Sequence, residues 1–268
     1  MIQSRLSIGV VPALNTLLPY FNLINIHKKD YNLVYGNVAE INQRMSRKEV
    51  DISVISSFAY AKKPLHYYIL PDLSISSNGK VGSVYLFSHC PYEKLFKKTI
   101  KLSKQSETSV NLIQYLLEEQ ENRFTYSNEE ISDAEVLIAD EAIQMYYKKS
   151  YPYAYDLGLL WKEKTNLPFV FALWVVQRST WEKYPKKVIK AWQRLKVPLE
   201  DKETVFHSLV AKYSQGLFPS EKACYEYLNK LVFSLEKKYQ EGFMRFQKEM
   251  KRLEKLDAVA PLNFLPIP

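Results

Sequence analysis

A chain of 268 residues, 47% hydrophobic and 14% aromatic, is long enough to bury one large core or two lobes of roughly 100 to 150 residues each. Its seven glycines include no GxGxxG or GxxxxGK(S/T) run, which argues against a glycine-cradled nucleotide, and Cys90 and Cys224 stand far apart without CxxC partners, which argues against zinc and disulfides. The net charge of +8 is concentrated late, with 18 Lys and Arg against 11 Asp and Glu in residues 178–268; the acids interrupt any basic stripe, so neither nucleic acid nor membrane is expected as a partner.

In chain order the pattern opens strand, helix, strand, helix, strand. Residues 6–11, 31–35 and 51–55 read as strands, 15–23 as a short helical or turn segment, and 38–46 as an amphipathic helix. This alternation predicts a parallel sheet flanked by helices. Two longer strands follow at 67–76 and 81–88 around a turn at Asn78-Gly79. A middle region then carries a short strand near 100–102, a helix over 108–118, a strand near 135–138, and helices over 141–149 and 156–165. Pro168 stops the last helix, and residues 169–176 form a strand apolar on both faces, which must be internal. Helical spacing resumes over 186–194, 202–213 and 221–256. The tail, 260–268, holds three prolines among apolar residues and is expected to pack back on the body.

The strands at 81–88 and 169–176 bracket the middle region, as a chain requires to leave one lobe, build a second and return. The expected division is 1–86 with 175–268 as the first lobe, carrying the C-terminal helices, and 87–174 as the second. In open parallel sheets a ligand sits beyond the carboxyl ends of the strands. That rule picks out Asn15, Ser56 and Ser57, with Ser83 in the crossing strand. Each also has a local reading: Asn15-Thr16 and Ser56-Ser57 as helix caps, Ser83 as a small residue under a close helix.

Ser106-Glu107-Thr108-Ser109 crowds hydroxyls at a helix N-terminus, where free N–H groups and the dipole favour carboxylates; the alternative is an ordinary cap with Ser106 and Ser109. Asp140 follows a buried strand and is a candidate acid or base facing the cleft, whereas Asp156 reads as a helix cap. His27, His66, His89 and His207 are scattered, which predicts no metal site. The first residues lack the apolar core of a secretory leader and no run is long enough to span a membrane, so a cytoplasmic protein is expected.

The runs Ile8-Gly9 into Leu14-Asn15-Thr16, Val50-Asp51-Ile52 into Ile55-Ser56-Ser57, residues 70–76, Gly82-Ser83 to Ser88, Ser106 to Val110, Leu137 to Ala142, and above all Tyr155 to Trp174 resemble the chorismate dehydratase family of the futalosine route to menaquinone. The likeness spans residues 6 to about 176 in order. It implies a type II periplasmic-binding-protein fold, two α/β lobes joined by two crossing strands, acting as a lyase without metal or organic cofactor. The implied reaction removes water from chorismate to give 3-[(1-carboxyvinyl)oxy]benzoate. The resemblance makes Asn15 and Ser83 the catalytic candidates that orient the ring and the leaving hydroxyl. Ser57, Ser106, Thr108, Ser109 and Asp140 become candidate substrate contacts, with the substrate's own side-chain carboxylate as the proton acceptor. Three departures stand out: proline four rather than three residues after Asn15, Ala59 without the glutamate common after the serine pair, and Ala139 in place of a common glycine. Competing readings are a cytosolic carboxylate-binding module and a sister enzyme acting on cyclic dehypoxanthinyl futalosine, for which His89 would be the base.

Overall fold

A computed structural model describes residues 5–127 and 131–267; the leader reading at residues 1–4 and the last residue of the tail, Pro268, lie outside that range. Two five-stranded sheets organise the chain. In the first, β1 (Ser7–Val10) lies parallel to β2 (Asn32–Tyr35) and β3 (Ile52–Ser56), and β10 (Phe169–Gln177) runs antiparallel between β3 and β4 (Tyr67–Ser77). In the second, β6 (Thr99–Lys101) lies parallel to β7 (Arg123–Thr125) and β8 (Ala134–Ile138), and β5 (Val84–Ser88) runs antiparallel between β8 and β9 (Tyr153–Asp156). Each sheet therefore has one reversed strand in fourth place. In both sheets it is the first strand laid down after the chain changes lobe.

That relationship corrects one expectation. The strands at 81–88 and 169–176 do not themselves cross: β5 belongs whole to the second sheet and β10 whole to the first, and the chain passes between sheets through residues 78–83 and 166–168. The boundaries drawn at 86/87 and 174/175 fall inside these two strands, because apolar runs buried on both faces mark the middle of a sheet and not its edge. Gly79 (φ 106°) and Gly82 (φ 78°) supply the left-handed turns of the first passage.

Helices cover both sheets. In the first lobe α1 (Leu14–Asn25), α2 (Val38–Ser46) and α3 (Ser57–Lys62) follow β1, β2 and β3. The Tyr20 hydroxyl on α1 donates to Gly9 O at 2.7 Å and accepts from Val54 N at 3.0 Å, fastening the helix to two strands. The second lobe carries α4 (Glu107–Leu116), α5 (Ala139–Lys148) and α6 (Leu157–Thr165). The C-terminal third forms α7 (Arg178–Lys183), α8 (Pro185–Glu200), α9 (Lys202–Tyr213), α10 (Glu221–Lys230) and α11 (Lys237–Arg252).

The stretch 221–256 is not one helix. After α10 the β-prone run Leu231-Val232-Phe233 extends and docks on β4, where Ser74 N donates to Phe233 O and Ser76 N to Val232 O. Then α11 packs on β10 so closely that a Cβ at Gly242 would meet Pro168 O at 2.0 Å. Phe246 on α11 touches both Phe169 and Trp161, and Arg252 pairs with Glu118 of the second lobe. The tail packs back as expected: Leu265 is buried, and Asn263 and Leu265 exchange backbone bonds with Ile69.

Candidate functional site

Between the two sheets lies a cavity of about 60 Å3 lined by Ala13, Asn15, Ser56, Ser106, Ser109 and Ala139, with Val54, Ile75, Val84 and Phe171 as its apolar floor. It sits where the strand-end rule places a ligand: β1, β3 and β8 all finish at it. Four helices start there. The N-caps of α1 (Ala13), α3 (Ser56), α4 (Ser106) and α5 (Ile138) all line the cavity, so four positive dipole ends converge on a space whose lining contains no Lys or Arg. Such a place holds an anion by N–H and hydroxyl donors without a cation that would lock it in a salt bridge.

The candidate residues divide in two. Asn15, Ser106 and Ser109 line the cavity together. The Asn15 carboxamide oxygen is shielded from water and has no hydrogen-bond partner among the described residues, an expensive state that invites a ligand donor. Ser106 caps α4, accepting from Ser109 N and Ser109 Oγ, each at 3.3 Å. Ser83 adjoins the cavity: its carbonyl accepts from Ala139 N at 2.7 Å, and its fully buried hydroxyl lacks a partner.

Ser57, Thr108 and Asp140 join the lobes to each other. Ser57 Oγ and Thr108 Oγ1 lie 3.3 Å apart, and Thr108 Oγ1 also accepts from Phe58 N at 2.9 Å, so the first turn of α3 meets that of α4. Asp140 Oδ1, at the start of α5, accepts from Leu14 N at the start of α1 at 3.3 Å. Burial holds the Asp140 carboxyl above the ordinary aspartate range, and the Leu14 bond offsets this only in part. The cap read at Asn15-Thr16 is absent, since α1 is capped by Ala13 without a side-chain bond and Thr16 Oγ1 donates back to Val11 O and Ala13 O. Ser56 does cap α3, accepting from Ala59 N at 3.3 Å.

Two features explain departures seen in the sequence. Ala139 has φ 54°, in the left-handed region that costs a residue with a Cβ roughly 1 to 2 kcal/mol, which is the physical reason for a glycine there in the resembled family. Ala59 and Lys62 face outward into a neighbouring groove of about 320 Å3 together with Asn42, Arg47, Lys63, Lys104 and Glu107. The groove shares α2, α3 and the start of α4 with the cavity, and four cations outnumber one acid in its lining. Lys62 and Glu107 close across it at 2.7 Å. Sequence reading missed this basic vestibule because its residues come from three separate segments. It also missed the Asn42–Ser56 pair, in which Asn42 Nδ2 donates to Ser56 Oγ at 3.2 Å and Ser56 N donates to Asn42 Oδ1 at 3.1 Å.

His89 is exposed just past β5, whereas Val84 at the other end of that strand lines the cavity; five residues of extended chain separate them by roughly 16 Å. A base at His89 is therefore remote from the cavity. Among the described residues no cluster of His, Cys, Asp and Glu suits a metal, and no helix is long and apolar enough to cross a membrane.

A family profile described as menaquinone biosynthesis matches residues 6–252. The chain is 30% identical to the chorismate dehydratase of Thermus thermophilus over 198 residues, covering 64% of this chain and 72% of that one. It is 26% identical to the chorismate dehydratase of Campylobacter jejuni over 249 residues, covering 92% and 95%. Among solved structures, a protein from Archaeoglobus fulgidus superposes with a TM-score of 0.75 at 16% identity, covering 96% of this chain and all of the other. The alkanesulfonate-binding protein of Xanthomonas axonopodis pv. citri superposes with a TM-score of 0.69 at 11% identity over 96% of each chain. At these identities the structural likenesses speak for the periplasmic-binding-protein fold alone.

Proposed function

Because this chain belongs to the menaquinone-biosynthesis family, we propose that it is a chorismate dehydratase, a hydro-lyase that removes water from chorismate to give 3-[(1-carboxyvinyl)oxy]benzoate. The observation that carries the reading in this chain is the convergence of four helix N-termini on a cavity lined without cations. Chorismate brings two carboxylates. Ser106 and Ser109 at the start of α4 would receive one of them, and Asn15 and Ser83 would orient the ring and the departing hydroxyl. The electrons of the ring C–H bond form the new aromatic double bond as the C–O bond to the hydroxyl breaks, and the ring proton, relayed through the side-chain carboxylate, joins the departing oxygen as water. In this reading the substrate's side-chain carboxylate takes the proton, while the protein supplies orientation and a water-poor enclosure.

The cavity, at about 60 Å3, is far below the ~300–1,000 Å3 usual for ligand sites. Filling it requires the lobes to part where Leu14 meets Asp140 and Ser57 meets Thr108, then to close again over the substrate. Ser57, Thr108 and Asp140 thus fit the reading as groups that exchange lobe-to-lobe bonds for bonds to substrate. The proposal also places the chain on the futalosine route, in the cytoplasm, with a small dicarboxylate as its partner. The first lobe is taken as the part built on β1–β4, β10 and the C-terminal helices, and the second as the part built on β5–β9.

The test is incubation of the purified protein with chorismate while the cyclohexadiene absorbance is followed and the product is identified by mass. Steady loss of absorbance with an aromatic product 18 mass units lighter is expected, the mass of one water. The fold likeness to a sulfonate-binding protein favours one alternative, a carboxylate binder without chemistry. Thermal stabilisation by chorismate without turnover would decide for it.

A further inference from the structure

Helix α10 brings one side chain close to the site from beyond residue 176, where the motifs that resemble the family end, though still within the residues 6–252 matched by the family profile. Tyr227 is 2% exposed, and its hydroxyl is cut off from water with no hydrogen-bond partner among the described residues. Its ring lies against the passage between the lobes: a Cβ at Gly82 would meet Tyr227 Cδ2 at 3.1 Å and push the ring back by a few tenths of an ångström. The next residue is Ser83, whose hydroxyl is equally buried and lies near enough to act on the Tyr227 phenol, although no hydrogen bond of good geometry joins them. The Ser83 backbone carbonyl accepts from the N–H of Ala139, a wall of the interlobe cavity.

Two buried hydroxyls held near one another without a well-formed hydrogen bond are costly, roughly 1–3 kcal/mol for each bond left unmade. Such pairs persist where they serve a bound state. A serine hydroxyl has one proton and can accept as well as donate, so an O–H donated to it from behind leaves its own proton for the front. Burial, with the Asp140 and Asp156 carboxylates nearby, keeps the Tyr227 phenol protonated at any working pH and hence always able to donate.

Resting on the dehydratase reading, we infer that Tyr227 is a positioning residue that, once substrate is bound, donates its hydroxyl proton to Ser83 Oγ and so aims the Ser83 hydroxyl at the substrate. Four proteins test it with chorismate as the probe: the wild type, Tyr227→Phe, Ser83→Ala and the double variant. The phenylalanine keeps the ring against Gly82 and removes only the hydroxyl. Tyr227→Phe is expected to lower kcat about tenfold with KM changed by less than about twofold, and to leave the melting midpoint unchanged or raised, since a buried unpaired group has gone. The double variant is expected to be no slower than Ser83→Ala. Wild-type kcat in Tyr227→Phe, a kcat loss that comes with a falling midpoint, or losses that multiply in the double variant would each overturn the inference while leaving the dehydratase reading intact. An inactive wild type removes that reading and the inference with it.

Discussion

The Asp156 carboxylate accepts from the backbone N–H of Gly82 at 2.7 Å, so the residue that caps α6, just before the chain's second passage between lobes, also grips the first. It accepts as well from Val81 N at 3.0 Å, Gly158 N at 2.9 Å and Leu159 N at 3.1 Å. Removing the carboxylate would strand four backbone donors in a buried place. Asp156→Ala is expected to cost about 3 kcal/mol of stability, and Asp156→Asn clearly less, because a carboxamide oxygen still accepts. Urea unfolding followed by circular dichroism measures both; equal stability of all three proteins would contradict the clamp.

Asn15 presents an unpaired buried oxygen to the cavity, and Ser83, bonded through its carbonyl to the cavity residue Ala139, carries a fully buried hydroxyl. Asn15→Ala and Ser83→Ala are each expected to cut kcat/KM for chorismate at least about tenfold, or roughly 1.4 kcal/mol of transition-state stabilisation. Circular dichroism spectra should not change. If both variants turned over at the wild-type rate, the catalytic assignment would be wrong.

Ser106 stands at the positive end of α4 and lines the cavity. Its replacement by alanine takes away a cap and a donor to a carboxylate. Ser106→Ala is expected to raise KM severalfold with little change in kcat, and to lower stability by about 1 kcal/mol. Steady-state kinetics at saturating chorismate separates this outcome from a loss of kcat.

Asp140 is the titrating group of the lobe contact. Its folded-state value lies above its unfolded one, so its ionised form is the disfavoured one in the native protein. The native state therefore binds the proton more tightly: this group's contribution is fully present below the unfolded value near 3.9 and is lost as pH rises through the raised folded value. Asp140→Asn, which keeps an acceptor for Leu14 N but cannot ionise, should accordingly melt higher than the wild type at neutral pH. The gap should shrink as pH falls toward the unfolded aspartate range. A gap that widened on acidification would reverse the sign and refute the assignment.

The vestibule of Arg47, Lys62, Lys63 and Lys104 opens beside a site read as dianion-binding. Charges near a cleft speed the approach of an oppositely charged ligand and are screened within about 8–10 Å by salt. The Lys104→Glu variant is expected to lower kcat/KM several-fold at low ionic strength, with kcat unchanged and the deficit narrowing in about 0.5 M salt. Stopped-flow binding at two ionic strengths tests it; a variant that lost kcat instead would place Lys104 in the chemistry.

Much of this architecture is legible locally: the inner strand β10 is buried on both faces and leaves a nearly unbroken apolar run, the half-exposed edge strand β2 still shows in Leu33, Val34 and Tyr35, and an amphipathic helix such as α2 leaves a three- and four-residue period. The hydroxyls of Ser106 and Ser109 are legible for a related reason: a cap is local, set by residues within one turn of each other. The reversed place of β10, between β3 and β4, left no such mark. Strand order depends on which surfaces meet after the chain has wandered more than a hundred residues, and no local pattern encodes that meeting. The same holds for the break between α10 and α11, where docking on β4 overrides helical spacing, and for Asp140 and Leu14, Ser57 and Thr108, or Ser83 and Tyr227. Their chemistry was written in the sequence, but their partners were chosen by the closing of two lobes, which alone brings groups from distant segments to within a hydrogen bond of one another.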